Sequence, residues 1–248
     1  MEIRSDMFAA FATTPPARKV RLVREQRAQA AQPYSSVRDY WKRLRESLLT
    51  LHRENGTVTD LDALAEDLTN RCPTSKAENY KRAIEGYRDW WGEKNIRWEE
   101  KLAPRKLHLN GLDIRVSPHL NAEIDGVPCL IRYRFIKDEP TPAFWSDVTI
   151  HLLRSAYGNA KTACVLDVHR GILLSTPPPL DIAIWATGEA AAYLTMSHNL
   201  ATEVENLHSA VQRVSRNRPN AGRQNQSLPR SSGKGRKGER ASAPTLLS

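Results

Sequence analysis

Apolar residues recur every three or four positions between residues 35 and 99, which is the period of an amphipathic helix. Three such stripes follow one another. Ser35 or Ser36 can cap the first helix, which ends at Asn55-Gly56, and Gly92 ends the third. The third stripe consists of Tyr80, Ile84, Tyr87 and Trp91. Short helices joined by brief loops predict a helical bundle over this region.

From residue 106 onward, apolar and polar residues alternate, as they do in half-buried strands. Asn110-Gly111 and Asp125-Gly126 separate the alternating runs, and such pairs favour hairpin turns because both turn positions need a positive φ. These runs predict a meander of about four antiparallel strands that reaches residue 136. A helix pattern from Ala143 to Gly158 follows, and then the nearly continuous apolar run of residues 163–168, typical of a strand covered on both faces.

The order of these elements predicts an α+β protein with a helical front, a strand meander followed by helix and strand, and a C-terminal helix over residues 181–215. This helix has a possible break at Gly188 or at His198-Asn199. We predict four segments along the chain. They are a flexible basic arm over 1–34, the helical bundle over 35–99, an α+β domain over 100–215 and a disordered basic tail over 216–248.

Positive charge is concentrated at the two ends of the chain, which has a formal net charge of +9 from 37 basic and 28 acidic residues. Residues 216–248 hold eight basic side chains and one acidic, and residues 1–34 hold six basic and three acidic. The centre is therefore nearly neutral. The tail holds too few apolar residues to offset the entropy of ordering, so we expect it to be disordered.

A cationic tail binds phosphates with strong salt dependence and little regard for sequence. The tail residues that we expect to bind nucleic acid in this way are Arg230, Lys234, Arg236, Lys237 and Arg240. The alternative is a solubilising tail without a dedicated partner.

Other features narrow the class of protein. Three widely spaced cysteines without a CxxC pair argue against a disulfide scaffold and fit a reducing cytoplasm. No apolar run approaches the roughly 18 residues of a membrane helix, and the start of the chain lacks the pattern of a secretory signal. Glycine-rich nucleotide loops and the common protease and esterase motifs are also absent, so we expect no cofactor.

Residues 106–175 place antiparallel strands before a helix and a further strand, with Asp113, Glu123 and Asp125 on or beside the strands. This order resembles the core of the PD-(D/E)XK nuclease-like superfamily. The resemblance implies a magnesium ion held by Glu123 and Asp125, with Asp113 as a further catalytic acid. The second element of that family, (D/E)xK, is expected within residues 129–134. This run instead contains Arg132 and Arg134, without an acid two positions before either.

Arg132 and Arg134 are the predicted nucleic-acid contacts of the central body. In the alternative interpretation they are a solvated strand face that pairs with Glu123 and Asp125 across the hairpin. We therefore predict a non-catalytic, nucleic-acid-associated protein. One alternative is a magnesium nuclease that uses Glu123, Asp125 and a displaced third acid. The other is an adaptor whose helical front docks another protein.

Overall fold

Eight strands form two separate sheets in the computed structural model, which describes residues 1–32, 39–136 and 138–216. In these ranges the strands are β1 (Glu2–Arg4), β2 (Ile96–Trp98), β3 (Arg105–Leu109), β4 (Leu112–Val116), β5 (Leu120–Ile124), β6 (Val127–Arg134), β7 (Thr162–Asp167) and β8 (Ile172–Leu174). The smaller sheet has the order β1-β4-β3, and the larger has the order β2-β5-β6-β7-β8. Each sheet contains one parallel pair, β1 with β4 and β6 with β7.

Seven helices accompany the sheets in the same ranges, so the α+β prediction is confirmed. They are α1 (Ser5–Thr13), α2 (Pro16–Ala30), α3 (Lys42–Arg53), α4 (Asp60–Asn70), α5 (Thr74–Trp91), α6 (Ala143–Tyr157) and α7 (Ile182–Arg216). The predicted caps Ser35 and Ser36 lie outside the described residues. Helix α7 continues through Gly188 and His198-Asn199 without a break.

Both predicted hairpin turns are confirmed, but the predicted single meander is wrong. Asn110-Gly111 joins β3 to β4, and Asp125-Gly126 joins β5 to β6, with φ between 46° and 87° at all four residues. Strand β4 does not pair with β5, because β1 occupies the second edge of β4. Strand β5 instead pairs with β2, which follows the helical front. The connection between β4 and β5 contains Pro118, which lacks a backbone N–H.

The prediction of a flexible arm over residues 1–34 is wrong for the described residues up to 32, since β1, α1 and α2 pack into the body. Phe8 and Phe11 of α1 are fully buried, and the Phe11 ring meets Tyr193 edge-to-face at 5.0 Å. Lys19 of α2 forms an ion pair with Glu189 of α7. Because the apolar stripe of α1 and most basic residues of α2 have partners within the described residues, these helices are ordered despite their charge.

The helical front shares one core with the larger sheet, so the predicted boundary at residue 99 does not separate two cores. Leu48 and Tyr87 belong to the same buried cluster as Ile131 and Leu166. A Cβ built on Gly86 of α5 would lie 2.3 Å from the carbonyl oxygen of Val168. The described residues up to Val204 form one compact unit, to which the last part of α7 does not belong.

Among the described residues, no helix combines the length and the apolar character that crossing a membrane requires.

Candidate functional site

A cavity of about 980 Å³ lies between the N-terminal elements, the start of α3 and the outer half of β6. Its described lining carries six arginines against three acids, which leaves three positive charges in excess. The charged lining residues are Arg4, Arg27, Arg45, Arg115, Arg132 and Arg134, with Glu2, Asp6 and Asp39. The positive charge that the sequence places at the chain ends is therefore accompanied by a cationic site inside the fold.

Arg132 is the most enclosed member of the arginine cluster formed by Arg4, Arg45 and Arg132. Alternation along β6 directs Ile131 and Tyr133 into the core, so Arg132 lies on the opposite face of the strand. Its side chain is 11% exposed, and Nη1 donates to the Ser117 carbonyl oxygen at 2.8 Å. Nη2 lies 3.6 Å from Asp6 Oδ1, which is an ion pair without a hydrogen bond. Burial lowers the pKa of Arg132, but an arginine remains charged in proteins.

The other two members of the arginine cluster each have a carboxylate partner. Arg4, the last residue of β1, donates from Nε and Nη2 to the two carboxylate oxygens of Asp6, at 3.2 and 2.9 Å. Asp6 lies in the first turn of α1, where the helix dipole favours an acid. Arg45 of α3 donates to Asp39 Oδ2 at 2.7 Å. The cluster is thus assembled from a strand, a helix and a second strand that are distant in sequence.

His119 lies next to the arginine cluster and is held in its neutral form. Its Nδ1 accepts the backbone N–H of Tyr133 at 2.9 Å, which places the ring proton of the neutral imidazole on Nε2. Burial lowers the pKa of His119 well below 6.5, and Arg132, Arg45 and Arg4 lower it further. His119 therefore contributes a neutral hydrogen-bonding group to the cavity rather than a further positive charge.

Arg134 also lines the cavity, but its own contacts differ from those of the arginine cluster. Its Nη1 donates to the Glu139 carbonyl oxygen and to Thr141 Oγ1 at 3.4 and 3.3 Å. Its guanidinium carbon lies 5.5 Å from the centre of the Trp145 ring, within the range of a cation–π contact. Burial lowers the pKa of Arg134, and the neighbouring Asp167 raises it. Arg134 is therefore tied to the loop that follows β6.

The acids proposed for a nuclease site lie elsewhere. Glu123 Oε2 accepts from Arg97 at 2.6 Å, and Asp125 Oδ1 accepts the backbone N–H of Asn95 at 2.8 Å. Asp113 belongs to the smaller sheet, where its carboxylate lies 3.0 Å from His108 Nδ1. None of these acids is among the described residues that line the cavity. The described part of the chain contains no group of three or more His, Cys, Asp or Glu residues that could hold a metal ion.

The same contacts correct the alternative interpretation of the two β6 arginines. Cross-hairpin pairing with Glu123 and Asp125 does not occur, because these acids bind Arg97 and the backbone of Asn95 instead. Arg132 and Arg134 are also largely buried rather than solvated.

A chain of buried polar groups lies behind the cavity wall. His52 Nε2 and Tyr87 Oη are 2.6 Å apart, and Tyr87 Oη lies 3.0 Å from the Oη of Tyr133, which lines the cavity. Burial lowers the pKa of His52 to about 4 and raises the pKa of both tyrosines. The chain is therefore uncharged at neutral pH and links α3 and α5 to β6.

Sequence reasoning identified Arg132 and Arg134 but missed Arg4, Arg45 and His119. Arg132 and Arg134 were identified because they lie in the run where the resemblance places the (D/E)xK element. Arg45 is one of several basic residues on the polar face of a helix, and Arg4 precedes a helix that sequence reasoning did not predict. No local signal separates these two from other surface arginines.

The tail residues Arg230, Lys234, Arg236, Lys237 and Arg240 lie outside the described residues. No family model, curated protein or solved structure matches this chain.

Proposed function

We propose that the protein binds nucleic acid without cleaving it, and that the cavity holds a phosphate on the arginine cluster. The observation that carries this proposal is the burial of Arg132. A guanidinium taken out of water loses hydration, and one hydrogen bond to the Ser117 carbonyl oxygen with a loose ion pair at 3.6 Å regains only part of it. A buried charge that destabilises the fold in this way is typical of functional sites, where the charge binds a ligand.

The chemistry of the lining supports a phosphate as that ligand. A guanidinium carries five N–H donors in a planar fork that matches phosphate oxygens. Charge-assisted hydrogen bonds of this type are about twice as strong as neutral ones. The three excess positive charges of the lining attract an anion and disfavour a metal cation.

The nuclease-like resemblance supports the proposal only through β5, β6, α6 and β7, because β3 and β4 belong to the smaller sheet and β2 precedes residues 106–175. Strands β5 and β6 are antiparallel neighbours, followed by α6 and the parallel strand β7. Arg132 and Arg134 lie in the run where the resemblance places the (D/E)xK element. In this proposal a guanidinium binds the phosphate directly, where a nuclease would use carboxylates and magnesium.

The basic tail supplies a second, unspecific attraction in this proposal. Each phosphate neutralised by a tail residue releases counterions, so the tail contributes mainly to the salt dependence of binding. Removal of residues 217–248 therefore reduces the slope of affinity against salt concentration. The effect of Arg132 on affinity persists in the shortened chain.

Substitution of Arg132 tests the proposal directly. We expect Arg132→Gln to weaken binding of a fluorescein-labelled single-stranded oligonucleotide by about tenfold or more, measured by fluorescence anisotropy. Arg97→Gln is the matched control, because Arg97 is exposed, pairs with Glu123 and lies outside the described lining. Equal affinities of the wild type and Arg132→Gln would contradict the proposal. Circular dichroism checks folding, and Arg45→Gln replaces the variant if Arg132→Gln does not fold.

A further inference from the structure

We infer that the cavity selects the phosphate monoester at the end of a single strand over the phosphodiesters within it. This inference rests on the proposed function and concerns the part of the nucleic acid that the arginine cluster receives. Three properties of the cavity carry it: its size, the gradient of exposure along the arginines, and the charge of the lining.

The size of the cavity excludes a duplex. A volume of about 980 Å³ corresponds to a sphere about 12 Å across. A B-form duplex cannot enter such a space, because its major groove alone is about 12 Å wide. Pockets of about 300–1,000 Å³ are typical for small ligands, and one or a few nucleotides fall in this class.

Exposure decreases along the arginine cluster. The side chain of Arg4 is 56% exposed, that of Arg45 is 26% exposed and that of Arg132 is 11% exposed. Arg132 is therefore the least accessible of the three, and we expect a phosphate to meet Arg4 and Arg45 before it reaches Arg132. An internal phosphodiester has a nucleotide on both sides, so the cavity would have to accommodate two strand segments to bring it to Arg132. A terminal phosphate requires only one such segment.

The charge of the lining also favours a monoester. A phosphate monoester carries about −1.5 to −2 charges at neutral pH, whereas a phosphodiester carries one. Coulomb attraction is proportional to the charge of the ligand, and it is strong where protein excludes water. The excess of three positive charges in the lining therefore discriminates between the two groups.

Asp6 is the residue with which a bound phosphate competes. Its Oδ1 lies 3.6 Å from Arg132 Nη2 and also accepts from Arg4 Nε. A phosphate oxygen close to Nη2 replaces a loose ion pair by a charge-assisted hydrogen bond. Removal of the negative charge in Asp6→Asn should therefore increase the affinity for a terminal phosphate.

The experiment compares three single-stranded ten-nucleotide DNAs of one sequence, with a 5′-phosphate, a 3′-phosphate or hydroxyl groups at both ends. Each is titrated with the full chain, and binding is followed by the anisotropy of an internal fluorophore. We expect at least one phosphorylated strand to bind about tenfold more tightly than the hydroxyl strand. Arg132→Gln should abolish this preference, Asp6→Asn should increase it and Arg97→Gln should leave it unchanged. If Arg132→Gln does not fold, Arg45→Gln replaces it and should reduce the preference for the phosphorylated strand.

The outcomes separate this inference from the proposed function. Equal affinities for all three strands, with binding still weakened by Arg132→Gln, overturn the inference and leave the proposed function intact. Affinities that no cavity variant changes overturn both. A nucleoside monophosphate is added as a competitor. If its affinity equals that of the phosphorylated strand, the cavity recognises a small phosphate ester, and the inference about a strand end is wrong.

Discussion

Protonation of His52 should make the stability of the protein depend on pH in a calculable way. The His52 side chain extends from α3 to α5, where the centre of the Trp91 ring lies 4.4 Å from the centre of the imidazole. The residue is 2% exposed, and burial lowers its pKa from 6.5 to about 4. In the unfolded chain the imidazole is in water and keeps the ordinary pKa of about 6.5.

The sign and the magnitude follow from this difference in pKa. Below pH about 6.5 the unfolded chain binds a proton at His52 that the folded protein does not bind until pH about 4. The free energy of unfolding therefore decreases as the pH falls through this window. One pKa unit corresponds to about 1.4 kcal/mol, so His52 accounts for a loss of about 2 kcal/mol between pH 7.5 and 5. The full loss is about 3 kcal/mol once both states are protonated.

Urea unfolding, followed by tryptophan fluorescence at several pH values, measures this effect. The comparison is between the wild type and His52→Gln, because the glutamine amide can donate to Tyr87 but does not titrate. Other titrating groups contribute equally to both proteins and cancel in the difference. The stability difference between the two proteins should change by about 2 kcal/mol between pH 7.5 and 5. A difference that is independent of pH would show that His52 is not buried in its neutral form.

Two further substitutions test how the elements of residues 1–204 are packed. Gly86→Ala should destabilise the protein by about 1–3 kcal/mol in urea unfolding, because the new Cβ meets the Val168 carbonyl oxygen at 2.3 Å. Gly188→Ala is the control, because its new Cβ meets nothing within 4 Å and no loss of stability is expected. Equal effects of the two variants would refute the close approach of Gly86 to the Val168 carbonyl oxygen. Phe11→Ala should cost about 3–5 kcal/mol, because it removes a fully buried ring in contact with Tyr193. A cost below about 1 kcal/mol would mean that α1 does not dock as described.

Local features of the fold were predictable from the sequence, and long-range pairings were not. The turns at Asn110-Gly111 and Asp125-Gly126 depend on the residues themselves, and the stripe of α5 depends on a short window of sequence. The ordering of the N-terminal residues depends instead on partners such as Glu189, which is 170 residues from Lys19. A basic composition near the chain end therefore suggested a flexible arm, although most of the charges there are paired within the fold.

The candidate site shows the same limit more strongly. Arg132 could be identified because it lies in the run where the resemblance places the (D/E)xK element. Its neighbours Arg4 and Arg45 could not, because only the pairing of β1 with β4 and the packing of α3 bring them to Arg132. The acids Glu123 and Asp125 are close in sequence, but neither faces the cavity. Glu123 binds the Arg97 side chain and Asp125 binds the backbone N–H of Asn95.

The parallel pairing of β1 with β4 has a consequence for the synthesis of the chain. Ile3 is opposite Ile114, so β1 leaves the ribosome about a hundred residues before its partner strand exists. The burial of α1 is completed later still, since Phe11 packs against Tyr193 of α7. Contacts between distant residues form slowly, and apolar segments that wait for them are prone to aggregate. The burial of β1 and α1 is thus completed only after elements more than a hundred residues later in the sequence, and a nascent chain halted before α7 would leave part of the apolar face of α1 open to association with other proteins.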